Sequence, residues 1–211
     1  MALEIHTYAL GPLANNTYVI VEPTSGQAVV VDPTFDSRHV IEAVQKAGWK
    51  ITQVWLTHAH FDHTAGAAEF TSLANPPLPI GLHPLDLDLF HSGGGASQFG
   101  VVVPYLPEPT FFFEHGQLLS IGAEQVEVRH TPGHSPGHVV FYLPQASAVL
   151  VGDLIFKNGV GRTDLKGGNS TQLLRSIYNQ IFSLPQETRL LPGHGAESTV
   201  AAEKEYNPYL Q

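Results

Sequence analysis

The chain has 211 residues, 43% of them hydrophobic, no cysteine and a formal net charge of −9. That length can carry a well-buried core; the missing cysteine excludes disulfides, thiolate metal sites and a cysteine nucleophile, and the acidic balance excludes a nucleic-acid partner, which needs a basic surface. No apolar run approaches the span of a transmembrane helix, and Met1-Ala-Leu-Glu-Ile-His6 lacks the basic-then-apolar order of a signal peptide, so a cytoplasmic protein with no membrane partner is expected.

The first stretch, 3–32, reads as β-structure. Thr17-Tyr-Val-Ile-Val and Ala28-Val-Val-Val-Asp32 are β-branched or aromatic runs, with Pro23-Thr-Ser-Gly26 as the turn between them. A helix is predicted over Arg38–Ala47, where Val40, Ile41 and Val44 recur at helical spacing, with Ser37 as its cap and Gly48 as its stop. A strand at 51–56 leads into a histidine cluster, after which Thr64 is expected to cap a second helix at 65–70. The Gly- and Pro-rich stretch 91–109 reads as a long surface loop, a possible flap. Phe111, Phe112 and Phe113 read as core or strand residues. Strands follow at 125–129, 139–143 and 148–151. An amphipathic helix is expected at 171–182, with Leu173, Leu174, Ile177 and Ile181 on one face. Strands before helices, then strands and helices again, suggest sheets sandwiched between outer helices.

Histidine is over-represented, with 12 residues against 10 lysines and arginines together. Position separates the informative ones. Residues 58–63 read His-Ala-His-Phe-Asp-His. A spacing of two places His58 and His60 on one side of an extended segment, whereas a helix would need a spacing of four. Asp62 and His63 follow a change of direction and so serve a second centre nearby. Four apolar runs each end at a ligand-type residue: Val-Trp-Leu-Thr before His58, Val-Glu-Val-Arg-His-Thr-Pro-Gly before His134, Ala-Val-Leu-Val-Gly before Asp153, and Arg-Leu-Leu-Pro-Gly before His194. Strand ends are where a rigid scaffold presents chemistry. Imidazole and carboxylate suit zinc, iron or manganese. His6, His39, His83, His91, His115, His130 and His138 fit no such pattern, although His138 is near enough to His134 to stand behind a ligand. Asp32, closing its strand before Pro33, reads as an anchor behind the site.

His58-x-His60-x-Asp62-His63, followed by His134, Asp153 and His194 in that order, resembles the metal motif of the metallo-β-lactamase superfamily over nearly the whole chain. The resemblance implies an αβ/βα sandwich, two mixed β-sheets with helices on the outer faces, formed as one domain across 1–211. It also implies two divalent ions, zinc foremost and iron or manganese as alternatives. His58, His60 and His134 would hold the first ion, and Asp62, His63 and His194 the second, with Asp153 bridging. The catalysis implied is attack of a metal-bridging hydroxide on an acyl carbonyl, with Asp62 also orienting the hydroxide.

Residues 152–165, Gly-Asp-Leu-Ile-Phe-Lys-Asn-Gly-Val-Gly-Arg-Thr-Asp-Leu, resemble the short glyoxalase II branch, as do Pro192-Gly-His-Gly195 and the tail from Ser198 to Asn207-Pro208. A chain without the C-terminal helical domain of the long glyoxalase II enzymes is expected. The implied substrate is a glutathione thioester such as S-lactoylglutathione. Arg162 would contact the glutathione, and Lys157 and Lys166 lie on the same segment, a local reversal of sign in an acidic protein. A glutathione persulfide dioxygenase shares Gly161-Arg-Thr-Asp164, and a lactonase would use the same metals. A β-lactamase fits less well, because lactam hydrolysers of this superfamily usually lack the carboxylate at the position of Asp153.

Overall fold

The computed structural model describes residues 2–211; Met1 lies outside it. Two six-stranded sheets face one another. In the first, β1 (Glu4–Leu10), β2 (Asn15–Glu22), β3 (Gln27–Val31), β4 (Lys50–Trp55), β5 (Ile80–Leu82) and β6 (Phe111–Phe112) lie side by side in chain order. β1, β2 and β3 pair antiparallel, and β3 to β6 pair parallel. The second sheet contains β7 (Leu118–Ile121), β8 (Glu124–His130), β9 (Val139–Leu143), β10 (Ala148–Gly152), β13 (Arg189–Pro192) and β14 (Ser198–Thr199), in the order β14-β13-β10-β9-β8-β7. Only β10 and β13 pair parallel there. A small hairpin, β11 (Ile155–Phe156) with β12 (Gly159–Val160), follows β10. Both sheets are mixed, as expected.

Alternation along β2 shows why this layering forms. Every residue of β2 is buried. Tyr18 and Ile20 point between the sheets, where they join Val29, Val31 and Trp55 of the first sheet and Val126, Val128, Phe141 and Leu150 of the second. Val19 and Val21 point the other way, into a layer with Val40 and Val44 of helix α1 (Arg38–Ala47) and with Phe70. A period of two gives each strand two faces, and a continuous apolar run requires cover on both. The second sheet repeats the arrangement. Val140, Val149 and Leu190 face outward onto Leu173, Ile177 and Ile181.

α1 spans the predicted range and stops at Gly48, whose φ of 73° is left-handed. Ser37 stands at its N-cap position as expected, but its side chain makes no capping bond, because the hydroxyl donates to the Thr34 carbonyl instead. The expected cap at Thr64 is wrong. Thr64 closes a short helix, α2 (Phe61–Thr64), and its hydroxyl turns back to the carbonyls of His60 and Phe61, while α3 (Ala67–Thr71) starts separately after Gly66. The 91–109 stretch is less open than expected: α4 (Leu87–His91) runs into its start, and a 3₁₀ turn covers Ala96–Phe99. The helix expected at 171–182 is α5 (Ser170–Ser176), continued by a π turn over Ile177–Ile181. That change of winding keeps Ile177 and Ile181 buried but leaves Leu174 at the surface. The last helix, α6 (Val200–Tyr206), follows β14. Among the described residues no helix is long and apolar enough to cross a membrane.

Candidate metal centre

The loop after β4 carries His58 at a bend and His60 in extended backbone, and α2 then turns Asp62 and His63 toward the same point. Loops leaving β8, β10 and β13 bring His134, Asp153 and His194 to meet them. Ligand atoms of His58, His60 and His134 lie within 4.8 Å of one another, as do those of Asp62, His63 and His194. Asp153 stands between the two groups. Its Oδ1 is 3.4 Å from His63 Nε2, and its Oδ2 is 3.6 Å from both His134 Nε2 and His194 Nε2. All seven residues predicted as ligands therefore converge.

Hydrogen bonds on the far side of four of the five rings decide which nitrogen faces inward. His134 Nδ1 donates to the Arg162 carbonyl at 2.8 Å, and His194 Nδ1 donates to the Leu13 carbonyl at 3.0 Å. His63 Nδ1 donates to Asp32 Oδ2 at 3.0 Å. The Thr57 hydroxyl gives its proton to Asp32 at 2.7 Å, so it accepts from His58 Nδ1 at 2.9 Å. In each case the Nε2 lone pair is left for the centre. His58 Nε2, His63 Nε2 and Asp153 Oδ1 are buried with no hydrogen-bond partner, which is costly unless a cation answers them. His60 Nδ1 lies 2.8 Å from His134 Nε2, a separation two lone pairs tolerate only with a proton or a cation between them. This donor set fits two divalent cations.

The protonation states of His58 and His60 agree. Burial, reinforced by neighbouring imidazoles, pushes His58 down and lowers His60 to about 3, leaving both neutral as ligands must be. Burial alone would raise Asp62 and Asp153, but the histidines around them hold both below the usual carboxylate range. For His63, burial is outweighed by Asp153 and Asp62, which raise it. Two carboxylates thus draw positive charge to the side of the cluster where the second group lies.

Asp32 is also within reach of His58 and His63. Its oxygens are taken by the Thr57 N–H, the Thr57 hydroxyl and His63, so it orients the rings from behind. His138 is buried, and its Nε2 accepts the Asp153 N–H at 3.2 Å. Sequence reasoning missed Asn15, whose Nδ2 is 2.9 Å from Asp62 Oδ2 and 3.3 Å from His194 Nε2. An asparagine at the start of a buried strand gives no signal of that contact.

A cavity of about 290 Å³ opens over the cluster, walled by Leu13, Phe61, Phe99 and Leu165, with Arg162 at its edge. A second, of about 410 Å³, adjoins it past Arg162 and is lined by Phe156 and Val160. Leu13 and Phe99 were not foreseen as site residues. Arg162 is half exposed and forked onto Asp164 at 2.7 and 2.8 Å, with its guanidinium 5.9 Å from the Phe99 ring centre. Lys157 and Lys166 are exposed on the same segment.

Residues 10–194 match the family model of the metallo-β-lactamase superfamily. The chain belongs to that superfamily. Its ligand cluster and sandwich are those of a metal-dependent hydrolase fold. Among solved structures it is similar to TTHA1623 in a di-iron-bound form, with 38% identity, a TM-score of 0.88, and 97% of this chain and 100% of that one covered. It is equally similar in fold to BLEG-1 B3 metallo-beta-lactamase, with 32% identity, a TM-score of 0.88, and 99% and 100% covered. Among curated superfamily members it is 30% identical over 186 residues to hydroxyacylglutathione hydrolase GloC of Haemophilus influenzae, covering 87% of each chain.

Proposed function

We propose that this chain hydrolyses thioesters of glutathione, S-lactoylglutathione being the first candidate, with two divalent cations, zinc foremost and iron or manganese as alternatives. The observation that carries this reading is the shared carboxylate: Asp153 lies within 3.6 Å of imidazoles from both ligand groups, at the floor of a cleft whose edge carries Arg162. His58, His60 and His134 would hold one ion, and Asp62, His63 and His194 the other. Bound there, the two ions would supply Lewis acidity and a water acidic enough to react near neutral pH.

The remaining roles fall to the chain. Asp62 Oδ2 is fixed by the Asn15 amide and stands 3.3 Å from His194 Nε2, where a carboxylate can accept a proton from the attacking water and aim its lone pair. Leu13, Phe61, Phe99 and Leu165 exclude bulk water from the acyl group and strengthen each polar contact beneath it. Arg162 offers its remaining donors to a carboxylate of the thiol half. The likeness to GloC supports this substrate class.

The test uses purified protein with defined zinc content, assayed without oxygen for thiol release from S-lactoylglutathione. Steady thioester cleavage supports the reading. If thioesters stay intact, a homoserine lactone, a β-lactam, or glutathione persulfide with iron and dioxygen will identify which sister activity replaces it.

A further inference from the structure

Asp86 belongs to none of the groups above, yet it is completely buried and carries three hydrogen bonds from two separate metal-ligand loops. Its Oδ2 accepts the Ala59 N–H at 3.0 Å and the Ser135 hydroxyl at 2.7 Å, and its Oδ1 accepts the Gly137 N–H at 2.6 Å. Ala59 lies between His58 and His60, and Ser135 directly follows His134. We infer that Asp86 is a positioning residue that clips the His58/His60 loop to the His134 loop and so sets the three-histidine group for its ion. The inference rests on the ligand assignment proposed above.

Asp86 sits at the end of a single turn, Pro84–Asp86, that follows β5, a strand supplying no ligand. The Asp86 N–H is anchored to the His83 carbonyl at 3.0 Å, so the carboxylate is held from behind as well. The approach of the partner loop is so close that a side chain at Gly137 would place its Cβ 2.7 Å from the Asp86 nitrogen and 2.8 Å from its carboxyl carbon. Glycine is needed there for the carboxylate to reach the backbone. A carboxylate is suited to this task because it accepts on both oxygens and donates nothing. An asparagine in its place, whichever way it is turned, sets an NH₂ against at least one of the three donors. The second ligand group takes its orientation elsewhere, from Asp32 on His63, Asn15 on Asp62 and the Leu13 carbonyl on His194. The effect of Asp86 should therefore fall on one ion and not on the other.

The experiment loads the full-length protein with zinc, titrates it with a competing chelator and follows metal loss as two steps. A His134→Ala variant identifies the step belonging to the three-histidine group by abolishing it. Asp86→Asn is expected to weaken that same step by about 10–100-fold, as loss of a group orienting metal ligands typically does, and to leave the other step unchanged. Ser135→Ala, which removes one donor and keeps the carboxylate, is expected to shift the same step by less, and it decides the matter if Asp86→Asn does not fold. Two steps that are unmoved, or that move together while thermal stability falls, would make Asp86 a structural residue only and overturn the inference. If His134→Ala abolishes neither step, the ligand assignment fails first, and the role of Asp86 falls with it.

Discussion

Gly193 gives the sharpest test of the geometry, because replacing one hydrogen there by a methyl group strikes the centre directly. An alanine Cβ at this position would lie 2.6 Å from His63 Cε1 and nearer still to Asp153 Oδ1, whereas ordinary contact begins at 3.4 Å. The backbone has no room to retreat. The Gly193 N–H donates to the Gly152 carbonyl at 2.8 Å, and its own carbonyl accepts the Asn16 N–H at 2.7 Å. Asp153 and His63 must therefore move by roughly 1 Å, a misplacement that can cost about 100-fold in rate, while overpacking lowers stability by about 1–3 kcal/mol. Gly193→Ala should remain folded, bind less than the full complement of metal by elemental analysis, and lose about two orders of magnitude in kcat/KM for thioester cleavage. A variant with full metal content and kcat/KM within about twofold of the parent would show that Asp153 and His63 do not hold the working ions in this arrangement.

Three further outcomes can be checked. Phe141 is fully buried between the sheets, with ring centres 5.2 Å from Trp55 and 5.3 Å from Phe113; Phe141→Ala should cost about 3–5 kcal/mol and lower Tm by about 6–20 °C in calorimetry. Hydrogen bonds from Ser25 and from the Thr24 N–H hold the Glu22 carboxyl down at about 2. A depressed carboxylate stabilises the fold above its unfolded pKa and loses that contribution as pH falls through the folded one. Glu22→Gln should therefore lower Tm near pH 7 and converge on the parent as pH approaches 2; an equal deficit at both pH values would refute the cause. Arg162→Ala should raise KM for glutathione thioesters by about 2–5-fold, as befits an exposed pair already shared with Asp164, without changing metal content, and an unaltered KM would return Arg162 to an ordinary surface charge.

The parts of this molecule that were legible in the sequence are those where one physical signal dominates locally. α1 was readable to the residue because its apolar positions recur at helical spacing and Gly48 takes up a left-handed conformation at its end. The ligand residues were readable because chemistry-bearing side chains repeatedly follow apolar strands. Local hydroxyls misled. Ser37 and Thr64 have cap-like spacing, but each spends its proton on a carbonyl behind it, a competition that short polar side chains offer everywhere. The π turn at Ile177–Ile181 leaves no mark in the apolar period, so Leu174 was assigned to a face it does not occupy. Asn15 and Asp86 stayed hidden for a different reason. Their partners lie 47 and 27 or more positions away, and only the folded chain brings them together.

The same long-range contacts explain why the site lies where it does. β3 and β4 run parallel, as do β10 and β13, so the loops leaving β4, β10 and β13 emerge where the two sheets approach. There the sheets are joined across the gap. Asn15 bridges to His194, the Asn16 amide and the Tyr18 hydroxyl both donate to the Pro192 carbonyl, and the Asn16 N–H reaches Gly193. A cluster of five imidazoles and two carboxylates is expensive to bury in either sheet alone. Placed at this seam, four of the five rings find a backbone or side-chain partner for the outer nitrogen, and the inner lone pairs are left facing one another. The arrangement is tolerable to the fold only if positive charge is drawn into it, and the same requirement is what makes it a metal centre.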